Sequence, residues 1–234
     1  MDSTEQDALL APPPYKALAE CDERQRVAFI RKVYTILAAQ FGLTTIVSAL
    51  FMYNDGIKHV VQSNGWAVML SSWGGLFILL ALMWYRKQEP LNRYLLVAFT
   101  AAESYSIGAV CTFYESETVL QACILTFSVF IALTIFTLQS KISFEGLGPF
   151  LFTSLSILIV AGFIQIFFPF SRAMDLVIAI ITALVFCGYI LYDTWQLFER
   201  LDEDEYIIGA VELYLDVINL FLALLRILSD SRED

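Results

Sequence analysis

The chain has 234 residues, 58% of them hydrophobic and only 16% charged, with a formal net charge of −10. Soluble domains carry about 25% charged residues, and here the charges fall in short gaps between long apolar runs, which excludes a soluble globular core. Much of the acidity lies near the start (Asp2, Glu5, Asp7, Glu20, Asp22, Glu23) and in Asp202 to Glu205; it reads as solvated ends, with no nucleic-acid partner implied.

Residues 1–25 are polar and contain prolines, the pattern of a disordered tail. Two short motifs lie in it. EQDALL (Glu5, Leu9, Leu10) fits an acidic dileucine sorting signal, and PPPY (Pro12, Pro13, Pro14, Tyr15) fits a ligand of WW domains. Each is short enough to arise by chance. The first apolar run begins near residue 33, behind this tail, unlike a cleaved signal peptide.

Residues 26–234 then read as one membrane domain of seven helices: Val33–Tyr53, Trp66–Tyr85, Leu91–Phe113, Thr118–Leu138, Leu147–Phe168, Asp175–Phe198 and Glu205–Leu228. Each is close to the ~20 residues that cross ~30 Å of hydrocarbon. Short connections make neighbours antiparallel, and the alternation that a barrel needs is absent. With the N-terminus in the cytosol, ten Lys and Arg fall on the cytosolic side and four on the other, a positive-inside bias. The seventh segment carries Glu212, Asp216, Asn219 and Arg226, so it either spans or re-enters.

The acids inside the apolar runs are the informative residues. Asp193 lies near the end of the sixth segment and Asp216 in the middle of the seventh. A carboxylate at mid-bilayer costs roughly 2.5–3.5 kcal/mol on insertion scales, faces the bundle interior and by default marks an ion or proton pathway. Two carboxyls brought together in a low dielectric cannot both ionise easily, so the pair shares a proton and makes a natural proton-sensitive latch. Glu212, Asp216 and Asn219 recur at i, i+4 and i+7 and form one stripe; packing through hydrogen bonds to neighbouring helices is the alternative reading.

Arg86 closes the second segment in MWYRK, either as a charge that engages the pair or as an interfacial anchor beside Trp84 and Tyr85. Glu103 either lines a path or hydrogen-bonds a neighbouring helix. Asp175 starts the sixth helix, where an acid complements the helix dipole.

The four cysteines (Cys21, Cys111, Cys123, Cys187) and the single His59 have no metal-ligand spacing. No cofactor and no fixed metal site are expected; dispersed oxygen ligands suit transient Ca²⁺ at Asp193 and Asp216, as a permeant ion. No enzyme signature is present. An intramembrane aspartyl protease is half matched, with YDT present but no GxGD, and LRILSD (Leu225 to Asp230) is a minimal match to a death-promoting BH3 core.

FIRKVYTILAAQ, FCGYILYDTW and ELYLDVINLFLALLRIL together resemble the transmembrane Bax-inhibitor-motif family, and TFYESETVLQACILT with TLQSK resembles its Golgi anti-apoptotic protein (Lifeguard) branch. The likeness covers residues 27–228. It implies an all-α polytopic fold of seven transmembrane helices with the last enclosed by the other six. It also implies a pH-sensitive Ca²⁺ leak from internal stores that suppresses stress-induced apoptosis. In that family the YD and LYLD aspartates, here Asp193 and Asp216, form the pH-sensing latch, and the arginine proposed to engage them matches Arg86. Acids linked to permeation match Asp175 and Asp204, although the branch often has glutamate at both and DEDEY is more acidic than usual. The resulting expectation is a monomeric or weakly oligomeric leak channel of Golgi, endoplasmic reticulum or vacuolar membranes. The alternative is a non-conducting scaffold that modulates cell-death regulators or other calcium channels.

Overall fold

The computed structural model describes residues 23–200 and 205–232. The described residues form eight helices and no strand: α1 (Glu23–Tyr53), α2 (Asp55–Ser63), α3 (Gly65–Trp84), α4 (Leu91–Cys111), α5 (Ser116–Gln139), α6 (Leu147–Phe167), α7 (Arg172–Glu199) and α8 (Tyr206–Asp230). All but α2 are long and apolar enough to cross a membrane. The protein is therefore an all-α, multi-pass membrane protein with the seven expected spans.

Two elements differ from the apolar runs. First, α1 begins at Glu23, ten residues before the run at Val33. Its buried residues Phe29, Val33, Leu37, Gln40, Thr44, Ser48 and Phe51 recur at intervals of three and four, one continuous stripe along one face. The early turns are amphipathic rather than apolar, so a run-length criterion passes over them. Second, α2 is a nine-residue helix that the sequence reading left as a connection. The Asn54 side chain caps it by accepting from the Ile57 amide at 3.1 Å. Its one apolar edge sets Val61 against Phe51 of α1 and Ala109 of α4. Nine residues with a single apolar edge leave no apolar run to detect.

The last helix is the axis of the bundle. In its most apolar window 72% of residues are buried, against 6–44% in the other spans. Its buried set runs around the whole circumference, as in a helix surrounded by protein. Helices α1, α4, α5 and α7 form the wall in direct contact with it, while α3 packs chiefly on α4 and α6 chiefly on α7. On α6 only Leu151 is buried, and Phe152, Ile157 and Phe163 face outward as a lipid-exposed surface. The α6–α7 approach is close: a Cβ on Gly188 would lie 2.8 Å from Leu151, and one on Gly148 would lie 2.9 Å from the Tyr192 hydroxyl.

Both ends of α8 are tied. At the N-proximal end, where α1 begins, Glu205 pairs with Arg86 at 3.4 Å, and the Tyr206 hydroxyl donates to Glu89 at 2.8 Å beneath Lys32. At the N-distal end Asp230 pairs with Arg172, Arg226 with Asp175 at 3.3 Å, and Arg232 with Glu117 at 3.0 Å. In the Arg226–Asp175 and Arg232–Glu117 pairs the cation lies at the C-terminal end of α8 and the acid in the first turn of α7 or α5, so these two pairs also complement helix dipoles. Exposed pairs are worth about 0–1 kcal/mol each; their role is to fix which end of α8 meets which loops. An unbroken helix of 25 residues is ~37 Å long, and its ends pair at opposite ends of the bundle, so α8 spans rather than re-enters. In microsomes, a glycosylation acceptor placed before Met1 and another placed after Asp234 should be modified one without the other. Modification of both, or of neither under conditions that modify a control, would contradict a spanning α8.

Candidate functional site: a carboxyl pair on the central helix

The helix stripes bring two acids together. On α7 the buried residues Ala179, Ala183, Phe186, Ile190, Thr194 and Leu197 face the axis, and Asp193 flanks them. On α8, Asp216 is 4% exposed. Asp193 and Asp216 come within electrostatic reach of each other across the α7–α8 contact, and two carboxyls so placed in a low dielectric cannot both ionise easily. Asp216 Oδ2 is buried and receives no hydrogen bond from a Lys, Arg, amide or hydroxyl donor. No Lys or Arg among the described residues forms an ion pair with either aspartate. The pair is therefore a carboxyl cluster inside the bundle without a fixed counter-charge among the described residues.

Glu212 stands one turn from Asp216 towards the N-proximal end, within electrostatic reach of Asp193, Glu205 and Arg86. Glu205, Glu212 and Asp216 are spaced by seven and four residues and so lie along one side of α8. This ladder rises about 16 Å from the end of the bundle to the pair.

Other candidate residues sit elsewhere. Arg86 does not reach the aspartates: its ion pair is with Glu205, because it belongs to the loop beside the first turn of α8 while the pair lies deeper. Asn219 donates to the Leu215 carbonyl at 2.8 Å, satisfied by its own helix. Asp175 accepts from Gln165 at 2.8 Å and pairs with Arg226; it is 18 residues from Asp193 along α7, or about 27 Å. Glu103 on α4 lies against Gly75 of α3, where a Cβ would meet its Oε1 at 2.9 Å. Asp204 and the tail residues Glu5, Leu9, Leu10, Pro12, Pro13 and Tyr15 lie outside the described residues.

A second polar cluster, absent from the sequence reading, holds the opposite side of α8. Tyr214 and Asp216 are two positions apart, about 200° around the helix. The Tyr214 hydroxyl bonds Thr44 Oγ1 of α1 at 2.8 Å; Thr44 bonds Ser104 of α4 at 3.0 Å, and Gln40 Nε2 donates to Thr100 at 3.1 Å. The signal was the spacing of Gln40, Thr44 and Ser48 at i, i+4 and i+8, facing Thr100 and Ser104 at i and i+4. Uncharged hydroxyls blend into an apolar run, which is why it passed unnoticed.

In the loop between α3 and α4, the Tyr206 hydrogen bond, with the Arg93 ion pair, holds the Glu89 carboxyl below its ordinary range. A depressed carboxylate keeps its partners above its unfolded pKa and loses them only as pH falls through the lower folded value. This tie therefore stays closed between about pH 6 and 8, and does not supply a pH response there.

The family described as Inhibitor of apoptosis-promoting Bax1 matches residues 26–233. The chain belongs to this family. It is 49% identical over 203 residues to Protein lifeguard 4 of Mus musculus, covering 87% of this chain and 85% of that protein. It is 43% identical over 217 residues to the Golgi anti-apoptotic protein of Vaccinia virus (strain Lister), covering 93% and 91%. It is 40% identical over 211 residues to Bax inhibitor 1 of Schizosaccharomyces pombe, covering 90% and 79%. The resemblance carried by the YDTW and LYLD segments thus holds for family and branch. In this Bax-inhibitor chain the Thr44–Tyr214 bond should contribute measurably to the enclosure of α8. A double-mutant cycle of Thr44→Val and Tyr214→Phe, followed by thermal unfolding in detergent, should give a coupling near the ~0.6 kcal/mol average for intramembrane hydrogen bonds, below ~1.7. Strict additivity would remove the bond from the account.

Proposed function

We propose that the protein is a pH-sensitive Ca²⁺ leak pathway of an intracellular membrane, the Golgi foremost, and that lowering store Ca²⁺ suppresses stress-induced apoptosis. The observation that carries this reading is the Asp193–Asp216 pair inside the bundle, two neighbouring carboxyls without a fixed cation. A carboxyl pair of this kind exchanges one proton for a net charge, and that charge both attracts a cation and repels its neighbour Glu212. Deprotonation therefore loosens the α7–α8 contact and at the same time creates oxygen ligands suited to a hard cation. The ladder from Glu205 through Glu212 supplies an approach from the N-proximal end. The positive-inside bias supports a cytosolic position for that end. The names lifeguard and Golgi anti-apoptotic protein among its relatives support the anti-apoptotic role and the Golgi placement. The tail motifs EQDALL and PPPY would serve sorting and WW-domain partners.

One observation favours the non-conducting scaffold. Between α1, α4, α5 and α8, in the N-distal half, the bundle holds a cavity of about 180 Å³ lined mostly by apolar side chains such as Phe41, Met52, Val217 and Phe221. A hydrated route would have to open elsewhere or wet this region.

Flux by the purified protein in liposomes separates the two. Asp193→Asn and Asp216→Asn should alter Ca²⁺ leak and flatten its dependence on pH between about 6 and 8. Wild-type liposomes no leakier than empty ones would support the scaffold, and unaltered pH profiles in both variants would sink the latch. Arg86→Gln should behave like Glu205→Gln, since each breaks the same ion pair, and both should retain the pH response. A flat profile in Arg86→Gln alone would instead return Arg86 to the pair.

A further inference from the structure

At the N-proximal end a second cavity, of about 430 Å³, lies between the first turn of α1, the connection from α5 to α6 and the end of α7. It is separate from the carboxyl pair and its lining is mainly polar. Arg26 of α1 and Lys141 of the connection face it, with Glu199 as the one carboxylate in its wall. Arg86, Arg93 and Arg200 at this end all have carboxylate partners. Arg26 and Lys141 make no ion pair among the described residues, although Arg26 is half-buried. Arg26, partly withdrawn from water and in no ion pair, can take a further anion even with Glu199 in the same wall.

Two hydroxyls add to this. Ser140 Oγ accepts from the Ile142 amide at 3.1 Å and Ser143 Oγ accepts from the Glu145 amide at 3.4 Å. Each bond fixes the oxygen in place and leaves the O–H hydrogen free to donate. The cavity therefore presents two cations and two oriented donors, a set that matches the several acceptor oxygens of a phosphate monoester better than a single-charge carboxylate.

The rim of the cavity decides the source of that phosphate. Leu138, in the last turn of α5, and Ile142, in the connection, line it and are 53% and 63% exposed, an aliphatic lip at the end of the bundle. Trp195 lies in the wall under the Arg200 guanidinium, 5.7 Å from its ring centre, near the end of α7, and aromatic residues near span ends are typical of the membrane interface. A cavity that is cationic inside and aliphatic at its lip fits an amphiphile whose charged head and hydrocarbon chains are joined at the interface. We propose that this cavity binds the phosphate monoester headgroup of an anionic bilayer lipid, with Arg26 and Lys141 as its charge partners and Ser140 and Ser143 as hydroxyl donors. Soluble phosphate would gain nothing from the aliphatic lip.

The test uses the full-length protein, purified in detergent micelles, with lipid binding followed by native mass spectrometry. Phosphatidic acid should bind about tenfold more tightly than phosphatidylglycerol, which has one negative charge and no monoester, and than phosphatidylcholine. The double variant Arg26→Gln/Lys141→Gln should lose about tenfold in affinity for phosphatidic acid, while Arg26→Lys should stay within about threefold of wild type. Ser143→Asp, which puts a negative charge into the cavity and leaves both cations, should lose a comparable factor and serves where the double variant does not fold. Glycerol 3-phosphate should compete only at concentrations about a hundredfold above those of the lipid. Equal binding of the three lipids, or phosphatidic acid binding unchanged in the double variant and in Ser143→Asp, would overturn the site. Competition by glycerol 3-phosphate at lipid-like concentrations would reassign it to a soluble phosphate. Binding that appears only after Asp202→Asn/Glu203→Gln/Asp204→Asn would make the chain's own acidic run the occupant and overturn the lipid.

Discussion

A carboxyl group in hydrocarbon must be surrounded by protein, and this requirement organises the molecule. Asp216 lies near the middle of α8, so α8 cannot face lipid and becomes the axis. The other spans take their places from it. Helices α1, α4, α5 and α7 form the wall, and α3 and α6 complete the lipid-facing exterior. The exposed large apolar residues are concentrated on the outer helices, and the fully buried large side chains include Leu213, Tyr214, Leu220 and Leu225 of α8. In lipid there is no hydrophobic force between helices, so close packing and hydrogen bonds must hold this arrangement.

The two polar contacts of α8 divide that work. On one side Tyr214, Thr44 and Ser104 form a neutral network whose hydrogen bonds persist whatever the pH. On the other, Asp216 and Asp193 place two carboxyls side by side, a contact whose strength depends on their charge. One flank of the central helix is thus fixed and the other conditional. In the proposed latch, motion on deprotonation would fall at the α7–α8 interface, while α1 and α4 keep their hold. The ion pairs at the ends reinforce this asymmetry, since Glu89 holds the start of α8 through Tyr206 under conditions that titrate neither partner.

Carboxylates at the N-proximal end serve several roles. Glu205 is used by Arg86, Glu89 by Arg93 and Tyr206, and Glu145 by Arg200. Glu212, deeper in the bundle, makes no ion pair among the described residues and feels the charges of Asp193, Glu205 and Arg86. The same end carries the cations Arg26 and Lys141 beside a polar cavity. The basic excess that sets membrane orientation is thus not uniform: part is neutralised by the loops, and part is left available at the interface.

The spans, the enclosed last helix and the presence of two acids inside apolar runs were legible in the chain itself. Long apolar runs have one solution in a bilayer, and an acid inside one has few tolerable positions. What the chain left open was rotation and reach. Whether Arg86 meets Asp193 and Asp216 or Glu205 depends on where its loop sits relative to the first turn of α8. Asn219 shares a stripe with Asp216 by spacing, yet its amide turns back to its own helix. Helix α2 and the early turns of α1 carry one apolar edge each, and only the neighbours that cover that edge reveal them as helices. The Thr44–Tyr214 network joins residues 170 positions apart. Composition dictates what must leave the lipid; the choice of partner belongs to the tertiary structure, because the same buried group is satisfied equally well by several neighbours until packing selects one.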